Sequence, residues 1–155
     1  MAIDFAMNLF PAASYGVRRK EAIPPDQCNP PDQSMGRKVM VVDDDDDFRF
    51  LLCDRLKRMG MKCFEAENGE VAKLQLKKNH VDLVITDNHM PIMDGLALID
   101  WLQHTQRHMP VIFVSGDLSG PVKVKAEEAR VYAIFEKPCS LSEISSKVEE
   151  VFKEI

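Results

Sequence analysis

Short apolar blocks alternate with longer amphipathic stretches from residue 38 onward. Val39, Met40, Val41 and Val42 form an unbroken apolar run, the pattern of a strand buried on both faces. Phe48, Leu51, Leu52, Leu56 and Met59 then recur at helical spacing, and Gly60 is placed to end that helix. A brief strand is expected over 61–66, a turn at Asn68 and Gly69, and a second helix over 70–78. Residues 81–86 read as the third strand and 95–104 as the third helix, with Leu96, Leu98, Ile99, Trp101 and Leu102 on it. A fourth strand over 111–114 precedes a helix within 121–129, where Pro121 suits the first turn. Residues 131–135 form the fifth strand. The last helix carries Leu141, Ile144, Val148, Val151, Phe152 and Ile155, with Ser140 or Ser142 available to cap it.

Five strands alternating with five helices predict an α/β fold, a five-stranded parallel sheet with helices on both faces. Right-handed crossovers bring every strand's carboxyl end to one edge, where ligands of such sheets bind. The segment before residue 37 does not share this pattern. Five of the nine prolines fall in residues 11–36, including the pairs Pro24, Pro25 and Pro30, Pro31. Residues 1–36 are therefore expected to be a Pro-rich extension or linker and 37–155 the domain. Arg18, Arg19 and Lys20 are read as a solvated part of that linker. Ile3, Phe5, Met7, Leu9 and Phe10 suit docking either on a partner or on the domain itself, and the sequence leaves both open.

A net charge of −5 argues against unaided nucleic-acid binding. No run approaches the roughly 20 apolar residues of a membrane span. Asp4 stands near the start with no basic residue ahead of it, against a secretory signal. Cys28, Cys53, Cys63 and Cys139 form no CxxC, which fits a reducing compartment and, as a default, the cytoplasm. His80, His104 and His108 lie near helix ends and point to no metal site.

The strand ends carry the chemistry. The first strand runs into Asp43 and Asp44, the third into Asp87, the fourth into Ser115 and Gly116, and the fifth into Lys137 and Pro138. Carboxylates gathered at one edge repel, by roughly 4 kcal/mol per pair at about 4 Å and an effective dielectric near 20. A hard divalent cation removes that penalty, and Mg²⁺ prefers carboxylate oxygen and water. Lys137 and Ser115 would then meet further phosphoryl oxygens, with Asp87 as nucleophile forming an aspartyl phosphate. The other members of the acidic run, Asp45, Asp46 and Asp47, are expected to open the first helix, at the positive end of its dipole.

The segments VVDDD, DLVITDNHMPIMDG, VIFVSG and FEKP, in that order, resemble the receiver domains of two-component response regulators over about residues 37–155. The resemblance implies flavodoxin-like strand order 2-1-3-4-5 and a stand-alone receiver. It implies that Asp87 accepts a phosphoryl group from a sensor histidine kinase or histidine phosphotransfer protein. Asp44 would be a direct Mg²⁺ ligand, Asp43 a ligand through water, and the backbone carbonyl of His89 a further one. Ser115 and Lys137 would contact the phosphoryl group, and the Lys137–Pro138 bond would be cis. Output would pass to an effector protein through the fourth helix, fifth strand and fifth helix, with Lys123, Lys125 and Glu128 exposed, or along a relay. No turnover enzyme, nucleic acid or membrane is expected.

One position departs from the family. The aromatic residue that receivers commonly carry three residues before the lysine is Ile134 here, and Phe135 beside it faces the other way. Activation is therefore expected to be weaker or to run through residues 115–121. His89 and Asp117 either influence the water that attacks the phosphoryl group or are solvated loop residues. Two other functions compete: a pseudo-receiver that binds protein without phosphorylation, and a haloacid-dehalogenase-type phosphatase using Asp43 and Asp45 with Ser115 and Lys137.

Overall fold

The computed structural model of the protein describes residues 36–155. The Pro-rich extension, apart from Gly36, lies outside the described residues, as do Arg18, Arg19, Lys20 and Cys28. Five strands and five helices alternate: β1 Lys38–Val42, α1 Asp46–Arg58, β2 Lys62–Ala66, α2 Gly69–Lys78, β3 Leu83–Asp87, α3 Gly95–His104, β4 Val111–Ser115, α4 Gly120–Glu128, β5 Ala133–Glu136 and α5 Leu141–Glu154. The sheet is parallel throughout, in the order β2-β1-β3-β4-β5. This is the flavodoxin-like order that the resemblance to receiver domains implies. Among the described residues, no helix is long and apolar enough to cross a membrane.

Two apolar layers explain why the central strands are hydrophobic without alternation. Val39 and Val41, Leu83 and Ile85, Ile112 and Val114 face α1 and α5. Met40 and Val42, Val84, Val111 and Phe113 face α2, α3 and α4. Each fully buried side chain of this size contributes roughly 1.5–3 kcal/mol relative to exposure. A charge at either face would disrupt one layer or the other.

Polar residues set the helix starts. Asp45 caps α1 by accepting from the backbone N–H of Asp47 and Phe48. Asn68 was expected to form a turn with Gly69, but its side chain caps α2 by accepting from Val71 N–H, so the helix begins at Gly69. Asp94 caps α3 through Ala97 N–H. Of the two serines available before α5, Ser140 is the cap, in a reciprocal box with Glu143. Gly60, at φ 86°, occupies the left-handed conformation just past α1 that favours glycine.

Two expected stripe residues are solvent-facing. Leu51 is 52% exposed and Ile155 65% exposed, while Cys53 is fully buried. On α1, Leu52, Cys53 and Leu56 form the inward surface, and Leu51 falls outside its arc. The third and fifth strands also begin two residues later than the apolar runs imply, at Leu83 and Ala133. Val81 is buried but precedes the ladder.

Gly95 fits where no side chain would. A β-carbon there would lie 2.1 Å from the Asp87 carbonyl oxygen and 3.1 Å from Asn88 Cα. The backbone of the β3–α3 loop must therefore shift to admit even a methyl group. Gly95→Ala is expected to lower unfolding free energy by at least about 2 kcal/mol, measured by urea denaturation. A stability equal to wild type would show that the loop relaxes freely.

Candidate functional site at the carboxyl edge of the sheet

The register of β1 against β3 builds the acidic pocket. Val42 pairs with Thr86, so the next residues, Asp43 and Asp87, leave neighbouring strands side by side. Asp44 follows at the surface. One carboxylate oxygen from each of Asp43, Asp44 and Asp87 lies within 4.8 Å of the other two. Asp43 and Asp87 are buried, whereas Asp44 is exposed. The pocket therefore has two carboxylates on its floor and one at its rim.

Asp43 is held from several sides. Its Oδ1 accepts from Asp45 N–H at 3.0 Å, and its carbonyl accepts from the Arg49 guanidinium at 2.5 Å. Arg49 also pairs with Asp46, tying the first turn of α1 to the acidic loop. Thr86 Oγ1 donates to the Asp87 carbonyl at 2.9 Å, and Gly95 N–H donates to the Asn88 carbonyl at 3.2 Å. These bonds fix the backbone on both sides of Asp87.

Lys137 reaches this floor from the loop after β5, where the Lys137–Pro138 bond is cis. Its ammonium lies 2.7 Å from Asp43 Oδ2 and 3.4 Å from Asp87 Oδ1. It also stands 4.6 Å from the centroid of the Phe48 ring. Burial pulls the lysine pKa down, but hydrogen bonding and attraction from Asp43, then Asp87, hold it above the ordinary value. Burial pushes the Asp87 pKa up, Lys137 pulls it down and Asp43 pushes it up again, with a net rise. A single ammonium does not offset the burial of Asp87 together with the neighbouring Asp43 charge.

The donor set fits a hard cation. Among the described residues, three carboxylates and no histidine or cysteine converge, which suits Mg²⁺ and not a thiolate- or imidazole-preferring metal. His89 follows Asp87 and Asn88 in the adjoining loop and is exposed. Ser115 is fully buried at the end of β4, but its hydroxyl is turned to its own loop. It donates to the Asp117 carbonyl at 3.0 Å and accepts from Asp117 N–H at 3.2 Å. The structure thus brings Asp43, Asp44, Asp87 and Lys137 together, with Ser115 engaged in its loop.

Asp117 accepts from Ser119 N–H at 2.7 Å, and hydrogen bonding from the Ser119 backbone and side chain, with a smaller contribution from His89, holds its carboxyl below the usual range. Asp45, the second aspartate of the phosphatase alternative, is committed to capping α1. Ile134 packs with the α2–α4 layer and Phe135 with the α1 and α5 layer, so the two occupy opposite faces as expected. Lys123, Lys125 and Glu128 are exposed on α4.

Sequence reasoning missed two contributors. Phe48 lies on the helical stripe of α1, but its ring contact with Lys137 links segments far apart in the chain. Arg49 carried no signal beyond its charge. Both contacts depend on how α1 sits over the sheet, which spacing alone does not encode.

Known proteins resemble this chain in sequence and in shape. The sensor histidine kinase RcsC of Escherichia coli is 35% identical over 106 residues, covering 68% of this chain but 11% of the kinase. The chain thus spans a small part of that relative. The chemotaxis protein CheY-3 of Vibrio cholerae is 27% identical over 121 residues, 76% of this chain and 93% of that protein. The response regulator TrrA of Thermotoga maritima, solved in complex with Mg²⁺ and beryllofluoride, superposes with a TM-score of 0.66 at 26% identity, covering 74% of this chain and 98% of that one. The model of the response regulator receiver domain matches residues 39–149, which include every strand end described above. With that match, the sheet order and the acidic edge agree, and the chain belongs to the response regulator receiver domain family.

Proposed function

We propose that the domain, residues 37–155, is the phosphoacceptor of a two-component phosphorelay, and that residues 1–36 are a Pro-rich extension or linker. The observation that carries this reading is the meeting of Asp43, Asp44 and Asp87 within 4.8 Å, with the Lys137 ammonium 3.4 Å from Asp87. The donor is a phosphohistidine on a sensor kinase or phosphotransfer protein. An Asp87 carboxylate oxygen attacks phosphorus, a P–O bond forms, the P–N bond breaks, and the departing imidazole takes up a proton. The product is a mixed anhydride on Asp87. Mg²⁺, held by Asp44, Asp87, the His89 carbonyl and, through water, Asp43, would supply charge stabilisation for the phosphoryl oxygens.

The protein's own groups perform the remaining work. Gly95 and the Thr86 hydroxyl hold the backbone of Asp87 in place. Lys137 offers a point cation to one phosphoryl oxygen. Ser115 offers a hydroxyl to another, and doing so requires it to leave Asp117. The TrrA complex with Mg²⁺ and beryllofluoride supports the same use of the edge here. The role is that of a signalling module with one modification per cycle, in the cytoplasm alongside its donor.

The loop after β4 provides an output route that needs no aromatic switch. Ser115 bonds both backbone groups of Asp117, Asp117 bonds Ser119 N–H, and Ser119 precedes α4 without a side-chain cap of its own. Capture of Ser115 by the phosphoryl group therefore releases the segment that leads into α4. That helix, with β5 and α5, is the face presented to an effector or to the next relay protein.

Incubation with acetyl phosphate and Mg²⁺ is expected to add about 80 Da by intact-mass spectrometry. The gain is absent from Asp87→Ala and from wild type in EDTA. A gain that survives Asp87→Ala, or no gain in wild type, contradicts the phosphoacceptor reading. Amide NMR of the same reaction is expected to move residues 115–128 most. Unchanged resonances there, with movement confined to the other face of the sheet, would contradict the loop route.

A further inference from the structure

Lys137 must stay at the pocket in two states with very different charge. Without a cation its ammonium has two carboxylates within reach, at 2.7 Å from Asp43 and 3.4 Å from Asp87. Once a divalent cation is bound, those same carboxylates are shared with a stronger positive charge, and the ammonium is repelled by it. Of the three contacts made by the ammonium among the described residues, the Phe48 ring, 4.6 Å away, is the one without formal charge. A cation does not compete for it in the way it competes for the aspartates.

Nothing in the packing of α1 demands an aromatic residue at position 48. Its side chain packs against the layer built on Val39, Leu52 and Ile144, where a leucine would serve the same apolar stripe. What fixes its place is the acidic run. Asp45 caps the helix and accepts from Phe48 N–H at 3.1 Å, so the residue stands in the first turn, beside the pocket. The face of an aromatic ring carries negative electrostatic potential and attracts an ammonium, more strongly where water is partly excluded. Lys137 is half-buried, which meets that condition.

We propose that Phe48 is a positioning residue: its ring is the neutral platform that keeps the Lys137 ammonium aimed at Asp87 after Asp43 has been drawn into the cation's shell. The inference rests on the phosphoacceptor reading for its consequence, but the contact itself is testable without phosphorylation. It assigns the Asp45 cap a second effect, since the cap places the ring. It also separates two parts of α1, an Arg49 contact that holds the acidic loop and a Phe48 contact that holds the lysine.

The test uses the full chain labelled with ¹³Cε-lysine, the Lys137 signal being assigned by its loss in Lys137→Arg. In wild type, ring-current shielding is expected to place the Lys137 ε-proton resonance upfield of the other lysines, both before and after saturation with Mg²⁺. Phe48→Leu is expected to return it to the main group, and Phe48→Tyr to preserve it. With acetyl phosphate at saturating Mg²⁺, Phe48→Leu is expected to slow Asp87 phosphorylation about threefold to tenfold, with Phe48→Tyr near wild type. An amide spectrum of wild-type dispersion confirms that Phe48→Leu folds. A Lys137 resonance indifferent to Phe48→Leu, or one that joins the main group when Mg²⁺ binds to wild type, overturns the proposal. So does an unchanged phosphorylation rate in Phe48→Leu. If wild type itself gains no Asp87-dependent mass, it is the phosphoacceptor reading that fails, and the resonance still reports on the ring contact.

Discussion

Like-charge repulsion among Asp43, Asp44 and Asp87 is the constraint around which the rest of the site is arranged. The parallel register of β1 and β3 leaves no choice about the first contact, because Val42 opposite Thr86 puts the next two residues side by side. Both of those carboxylates are buried. Such an arrangement persists only if the surroundings over-determine it, and they do. The Asp45 N–H, the Arg49 guanidinium, the Thr86 hydroxyl and the Gly95 backbone each hold part of the acidic edge in position. Lys137 then supplies partial neutralisation from across the sheet. A hard cation at this edge would relieve the same repulsion.

The five consecutive aspartates illustrate how one composition divides into several jobs. Asp43 and Asp44 belong to the pocket, Asp45 caps α1, and Asp46 pairs with Arg49. Asp47 adds a further negative charge in the first turn, near the positive end of the helix dipole. A solvated acidic tail would show none of this order. The boundary between acidic loop and helix falls at a single residue, Asp45, whose backbone serves Asp43 and whose side chain serves the helix.

Much of this was legible in the sequence because the fold converts chain position into spatial position. In a parallel sheet, knowing that an aspartate follows a strand is enough to know which edge it occupies, so the ends of β1, β3, β4 and β5 put Asp43, Asp87, Ser115 and Lys137 at one edge. The bounds of α3 were legible for a related reason, since Asp94 and Gly95 mark its start. Asn68 was harder. An Asn-Gly pair has the composition of a turn, and only the bond to Val71 N–H reveals a cap. Leu51 misled because it neighbours the buried stripe of α1 without belonging to it. The contacts of Phe48 and Arg49, and the engagement of Ser115 by its own loop, are tertiary geometry that no spacing rule carries.

One arrangement underlies the proposed chemistry: carboxylates from β1 and β3 sharing a cation, with Asp87 turned toward an incoming phosphorus and Lys137 beside it. A crystal structure of the protein grown with Mg²⁺ and beryllofluoride tests it directly. The predicted result is one ion bound at Asp44 and Asp87, with Asp43 in its shell through water. Beryllofluoride should sit on Asp87, with Lys137 and Ser115 on its fluorines. A pocket empty under those conditions, or an Asp87 carboxylate directed into the core, would contradict it.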